Sequence, residues 1–402
     1  MAIAGVTVVA MQTPVVAVHR RRVRFDPDPE LARLREVSPV VRIELPRYTT
    51  AGPAWAWLVT RYEDVREVLA DAQRFSTALT AVGERSQGDG FLVAYDPPEH
   101  TRLRRMVSAP FTGNQIRHLR PRIEVMVAEC LDAIAEAGPP VDLMETFALP
   151  IPSLVICELL GVPYPDRAGF QHTSKARIDL AATAAERMAA RTQSRHYMAQ
   201  LVTRQRLEPG ASLLGMLVRD HGSELTDAEL VGIGDLLLFA GHETTANMLG
   251  LGTALLLHHP DQLSVMRERP DQVADAVEEL LRFLSVVSAG TARTAVIDTT
   301  IGGQQIKAGE LVVCSLPAAN RDRAFADDAD RLDLTRAARP HVAFGHGIHH
   351  CLGAPLARLE MEIAFPALLR RFPTLRLAVP VEEIPFLTHS VVYGVRSLPV
   401  AW

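Results

Sequence analysis

The sequence predicts a mainly α fold with a minor β region, on three observations. One apolar stretch, "TDAELVGIGDLLLFAGHETTANMLGLGTALLLHHP" (226–260), is far too long for a strand and carries helix signals at both ends. Several shorter segments repeat apolar residues at helical spacing. Strand-like patterns are confined to residues 56–60 and 294–315.

The elements follow in chain order. The N-terminal "MAIAGVTVVAMQTPVVAVHRRR" is apolar, but its charge (His19 to Arg22) follows the apolar run, unlike a signal peptide. Pro14 interrupts a stretch already short of the ~20 residues a bilayer span needs. Residues 1–23 are read as an extension, flexible or forming a first strand, and 24–402 as a single domain. A prior of ~150 residues per domain would allow two or three, but no repeat, Gly/Ser linker or low-complexity block divides the chain. "AWLVT" (56–60) reads as a strand. "TRYEDVREVLADA" (60–72) reads as a helix with Thr60 as N-cap and Glu63 completing a capping box. "NQIRHLRPRIEVMVAECLDAIAEAG" (114–138) reads as an amphipathic helix stopped by Gly138.

Segment 226–260 opens on the capping box of Thr226 and Glu229 and closes at Pro260. At 1.5 Å per residue it would span ~50 Å. It is apolar all round, hence buried. "PDQVADAVEELLRFL" (270–284) begins with proline and presents Val273, Val277, Leu280, Leu281 and Leu284 on one face. "TAVIDTTIGGQQIKAGELVVCS" (294–315) supplies strands around a Gly-Gly turn, so the sheet draws on both ends of the chain.

Composition excludes several classes. Of 402 residues, 48% are hydrophobic and 22% charged, as in ordinary soluble globular proteins. The net charge of −5 argues against a nucleic-acid partner. The four cysteines, 130, 157, 314 and 351, form no CxxC pair, which fits a reducing, cytoplasmic setting. Cys130, Cys157 and Cys314 sit in apolar contexts and read as core thiols. No membrane span is expected, and the protein is expected to be a monomer.

Two places carry chemistry. The middle of the long apolar helix holds Gly241, His242, Glu243, Thr244, Thr245 and Asn247. A carboxylate and hydroxyls buried there call for a function, with a satisfied hydrogen-bond network as the plainer alternative. The second place is "FGHGIHHCLG" (344–353). Its His346, His349, His350 and Cys351 could be a zinc set on paper, but adjacent residues such as His350 and Cys351 rarely point at one metal. A lone thiolate among glycines, leading into the helix "LGAPLARLEMEIAFPALLRRF", suits an axial haem ligand better, because backbone N–H groups and the helix dipole favour its charge.

"FGHGIHHCLG" resembles the haem-binding signature of the cytochrome P-450 family: Phe, Gly, any, Gly, any, His, any, Cys, any, Gly. "AGHETT" (240–245) is similar to the family's oxygen-activation motif, and "EELLR" (278–282) contains its ExxR pair. "DPPEHTRLRR" (96–105), "LPAANRD" (316–322) and "LDLTR" (332–336) are similar to its haem-edge helix and meander. The resemblance covers roughly residues 24 to 400. It implies a triangular helix-rich haem-thiolate domain with the long helix over haem b. Cys351 would be the iron ligand, with Phe344 near the sulfur and Gly345, Gly347 and Gly353 shaping the loop. His100, Arg104, Arg293 and His349 would hold the propionates. Glu243 and Thr244 would be the acid–alcohol pair that delivers protons to dioxygen, with Thr245 a weaker candidate. Ala240 and Gly241 would line the haem face, Gly241 leaving room for oxygen and letting the helix bulge. Periodicity alone makes Glu279 and Arg282 an exposed pair; the resemblance instead buries them behind the haem, completed by Arg336.

The same resemblance sketches a substrate pocket. It comprises a lid loop (77–94, with Leu79, Val82, Phe91 and Leu92) and the region 176–191. The central helix adds Leu237 and Leu238, and two wall segments add Val286, Val287, Ala289, Val391 and Val392. These mostly small and aliphatic residues suit a bulky apolar ligand. The implied activity is a monooxygenase of the soluble bacterial type, using O2 and electrons from NAD(P)H through a ferredoxin reductase and a ferredoxin. Its substrate would be a polyketide, macrolide, terpenoid or steroid of secondary metabolism. A haem-thiolate protein that does not insert oxygen and a non-catalytic haem sensor are the other classes; the acid–alcohol pair argues against both.

Overall fold

The computed structural model describes residues 17–45, 55–80, 89–163, 166–288 and 291–402, without the side chains of 79, 80, 167 and 168. The fold is mainly helical and is organised around one helix, Asp227–His258. Both arms of its capping box form: Thr226 Oγ1 accepts from the Glu229 amide, and Glu229 Oε2 accepts from the Thr226 amide at 2.8 Å. The helix is buried on every face along most of its length. Pro150–Leu160, Ala184–Leu207 and Ala354–Arg371 pack against it. It runs unbroken through Gly241, so the bulge expected there does not form.

Among the described residues, the largest sheet contains five strands in the order Val40–Glu44, Trp55–Val59, Leu311–Cys314, Ala292–Ala295 and Phe75–Ser76. It therefore joins segments from both ends of the chain. Leu311–Cys314 runs parallel to Trp55–Val59 and antiparallel to Ala292–Ala295, with Val312 opposite Arg293. Alternation in that last strand buries Arg293 and Ala295 on the inner side. A separate hairpin turns at Gly302 and Gly303, both with positive φ.

Two sequence expectations need correction. Thr60 does not cap its helix: its hydroxyl donates to the Pro39 carbonyl. The helix is Tyr62–Ala70, and Asp322, from a distant loop, accepts from the Tyr62 amide at 2.9 Å. Segment 114–138 is two helices, Gly113–His118 and Arg120–Ala137. Pro121 explains the break, since it has no N–H for the Arg117 carbonyl and its ring would crowd that oxygen. Of residues 1–23, read as a flexible extension or a first strand, the described part 17–23 includes the short strand Arg22–Val23 and makes contacts with the rest of the fold. Ala17 and His19 are buried, and Arg22 donates to the carbonyls of Leu284 and Ser285 at 2.6 and 2.5 Å. Cys130, Cys157 and Cys314 are buried. Among the described residues no helix is long and apolar enough to cross a membrane.

Candidate active site

The loop at 344–353 folds back on itself through two backbone bonds, from the His350 amide to the Gly347 carbonyl and from the Cys351 amide to the Phe344 carbonyl at 2.9 Å. Gly345 and Gly347 have φ of 74° and 72°. At Gly347 a Cβ would lie 2.4 Å from the Leu69 carbonyl oxygen, so the loop can seat against the helix Tyr62–Ala70 only with glycine there. Gly353 has an ordinary φ and no protein atom where its Cβ would be, so the loop's shape does not require glycine at that position.

The backbone N–H groups of Gly353 and Ala354 are directed at the Cys351 thiol at the start of Ala354–Arg371. Burial raises the thiol pKa; these amides, Arg104 and Arg358 oppose that rise. Cys351 as a residue nonetheless keeps accessible surface. Arg358 lies 4.6 Å over the Phe344 ring and is held by both oxygens of Glu278 at 2.6 and 2.8 Å. Sequence reasoning missed Glu278, although it is adjacent to the ExxR pair.

The three histidines of the loop do not converge. His349 lies 4.3 Å from the His100 ring and within 3.2 Å of Thr77 Oγ1, whereas His350 turns toward Phe344. Among the described residues no three His, Cys, Asp or Glu side chains form a metal-binding group. His100 and His349 instead meet Arg104 and Arg293. Burial, Arg293, His100 and Arg104 together push the His349 pKa down to about 3. His100 is lowered by burial and by Arg104. Arg104 also donates to the His350 carbonyl at 2.8 Å. His100 Nε2 and His349 Nδ1 are buried without a hydrogen-bond partner. Two arginines beside two histidines that each keep an unpartnered ring nitrogen fit a group that brings carboxylates. Together with a thiol under two directed amides, this donor set fits haem.

Behind the loop, Glu279 and Arg282 are 3% and 1% exposed. Arg282 donates to both Glu279 oxygens at 2.7 and 2.8 Å and to the carbonyls of Asn320 and Ala329. Arg336 approaches Glu279 at 3.4 Å. Asn320 Oδ1 accepts from the Val342 amide at 2.8 Å, which links this network to the cysteine loop.

On the central helix, Ala240 is exposed, and Gly241 and Thr244 keep partial accessibility, in the middle of an otherwise buried element. Thr244 Oγ1 donates to the Ala240 carbonyl at 3.0 Å. Gly241 serves packing: a Cβ there would meet Ile156 at 2.8 Å. The side on which its Cβ would stand is filled by the helix Pro150–Leu160. Glu243 is buried, and its pKa is raised to about 7 by desolvation. Thr245 is buried as well. Asn247 Nδ2 donates to the Glu243 carbonyl at 2.8 Å, a contact its place in the motif did not reveal. One turn and more before the motif, Asp235 accepts both guanidinium arms of Arg177 at 2.8 and 3.1 Å and the Ser194 hydroxyl.

Of the pocket candidates, Phe91, Leu92, Leu237, Leu238, Val286 and Val392 are buried, and Val287 and Val391 partly so. Val82, Ala289 and the side chain of Leu79 lie outside the described residues. The two wall segments meet: Val287 bridges Val392, and the Ser288 amide donates to the Val391 carbonyl at 3.1 Å. The seam continues to the turn after the helix Arg167–Ile178. The Val391 amide donates to the Ile178 carbonyl, and the Leu180 amide to the His389 carbonyl.

Comparison with known proteins agrees with this geometry. Residues 141–391 match the cytochrome P450 family profile. The chain is 44% identical to cytochrome P450 FAS1 of Rhodococcoides fascians over 97% of its own length and 99% of that protein's. It is 42% identical to nocardicin C N-oxygenase of Nocardia uniformis subsp. tsuyamanensis, covering 94% and 96%. The crystal structure of CYP105P1 in complex with filipin I superposes with a TM-score of 0.89 at 42% identity, covering 97% and 99%. A thiol under directed amides, a cationic cradle and a polar break in a buried helix thus occur in a chain that belongs to the cytochrome P450 family of haem monooxygenases.

Proposed function

We propose that this protein inserts one atom of O2 into a bulky apolar small molecule of secondary metabolism, by hydroxylation or epoxidation, in the cytoplasm. Ferredoxin and a ferredoxin reductase would bring electrons from NAD(P)H. The observation that carries this reading is the accessible, hydroxyl-bearing middle of an otherwise buried helix, set beside a carboxyl that titrates near neutrality. Relatives named for nocardicin C oxygenation and for filipin I binding support the substrate class.

Cys351 would ligate haem b, and His100, Arg104, Arg293 and His349 would hold its propionates. The bound haem-thiolate supplies the binding and cleavage of dioxygen. Glu243 holds a proton near neutral pH because burial penalises its charged form. Thr244 has its hydroxyl proton committed to the Ala240 carbonyl, so its lone pairs stay available to orient a proton donor.

Two measurements test the reading. Cys351→Ser should abolish the red-shifted Soret band of the ferrous carbon monoxide complex; a surviving band removes Cys351 as ligand. Thr244→Ala should keep haem and substrate binding but lose product per NADPH and release hydrogen peroxide. Positioned acid–base groups contribute about 10²–10⁴-fold in rate. Unchanged coupling, with ferredoxin and reductase present, would remove Thr244 from the mechanism.

A further inference from the structure

The central helix carries a group that the reading above leaves unused. His242 is fully buried, with its ring edge-on to Phe170 at 5.2 Å. Its Nδ1 lies 2.7 Å from the Leu238 carbonyl oxygen. A carbonyl only accepts, so Nδ1 carries the proton, and a neutral imidazole then has a bare lone pair on Nε2. That Nε2 is buried without a partner, and so is Glu243 Oε1, 3.7 Å away. The 3.7 Å gap is longer than a hydrogen bond, but a small turn about the soft terminal torsion of Glu243 closes it, and two buried acceptors can be satisfied together by one proton between them.

The surrounding charges agree. Burial lowers the His242 pKa to about 4 and raises that of Glu243 to about 7, so near neutral pH the pair holds one proton, on the carboxyl. The cations whose fields reach the pair, Lys175 and Arg177, both belong to the helix Arg167–Ile178. Arg177 is matched by Asp235, which also takes the Ser194 hydroxyl from Ala184–Leu207. Lys175 is exposed to solvent. The helix Pro150–Leu160 brings Ile156, not a charge, to this stretch.

We propose that His242 is a positioning residue that keeps the Glu243 carboxyl protonated, its Nε2 accepting Oε1–H, until the carboxyl turns toward the Thr244 side and gives up its proton there. The proposal rests on Glu243 being the proton source. The torsions at the end of a Glu side chain are broad, so the turn is soft. The proton leaves Glu243, the carboxylate regains one from solvent on the Lys175 side, and His242 gains and loses none.

The test is the infrared carbonyl stretch of the protonated Glu243 carboxyl in the haem-loaded protein, followed across pH, with Glu243→Gln identifying the band. The wild-type band should titrate near neutrality at a frequency lowered by its hydrogen bond. His242→Phe keeps a ring but removes the acceptor. It should raise the frequency and lower the midpoint by about one pH unit, the size of one neutral hydrogen bond. An unshifted band in His242→Phe, or no band in the wild type, overturns the proposal. Should His242→Phe fail to fold, nitrogen-15 spectra of the wild-type ferrous carbon monoxide complex decide: a bare Nε2 supports it and a protonated Nε2 overturns it. The reading of Glu243 fails separately, if Glu243→Gln leaves product per NADPH unchanged.

Discussion

Glu243 ties the protein's stability to pH. Its carboxyl is 4% exposed, and its pKa lies near 7 in the folded chain, against an ordinary 4.5. Below the ordinary value both folded and unfolded chains are protonated there, and burial of the carboxyl carries no charge penalty. Between the two values the folded chain binds a proton that the unfolded chain lacks, so stability falls as pH rises. Above the folded value the full cost is present, about 3 kcal/mol. Glu243→Gln removes the titration. The variant should therefore be more stable than wild type near pH 8, with the difference closing at about pH 4–5, in denaturant midpoints measured across that range. A difference independent of pH would mean that the carboxyl is not desolvated as the fold implies.

The helix Val273–Leu284 shows how one element can anchor a loop it does not contain. Its bidentate Glu279–Arg282 pair lies inside a shell of carbonyls from residues 320–331, and Asn320 carries the connection to Val342, just before the cysteine loop. Glu279→Gln leaves the Arg282 charge buried and poorly matched. Breaking a buried pair from one side costs about 3–5 kcal/mol. The expected result is a lower denaturation midpoint together with reduced haem retention, measured as haem per protein after gel filtration. Loss of stability with full haem retention would separate the pair from the loop.

The same helix marks where sequence stops being legible. The central helix can be read from the chain because both arms of its capping box lie within four residues of each other. The cap of Tyr62–Ala70 cannot, because Asp322 arrives from a loop far along the chain. Periodicity put Glu279 and Arg282 in solvent because a helical wheel knows only its own helix. Their polar face is covered by a loop that the wheel does not contain. The resemblance points to Cys351, Thr244, His100, Arg104, Arg293 and His349, but gives no role to His242, whose chemistry depends on which of its nitrogens meets the Leu238 carbonyl.

At the scale of the whole molecule, residues 22–24 join segments far apart in the chain. Arg22 reaches the carbonyls of Leu284 and Ser285, and the Tyr393 hydroxyl donates to the Arg24 carbonyl at 2.7 Å. The seam between residues 178–180 and 389–391 has a mechanical consequence. A turn between two helices is ordinarily the freest part of a helical pair. Here the turn after Arg167–Ile178 is stitched by backbone bonds to the C-terminal wall, and the buried Arg177–Asp235 pair reinforces it. Among the described residues, the opposite end of that helix is tied by side chains alone, Gln171 to Ser153 and the Tyr197 hydroxyl to Asp166. The backbone stitching is thus at the inner end of the helix, and motion is expected to grow toward the Arg167 end. Hydrogen exchange should find slow amides at Leu180 and Val391 and fast ones in the first helical turn, and an apolar ligand should slow the first turn most. Equal exchange along the helix would mean that it moves as a rigid block, with no hinge.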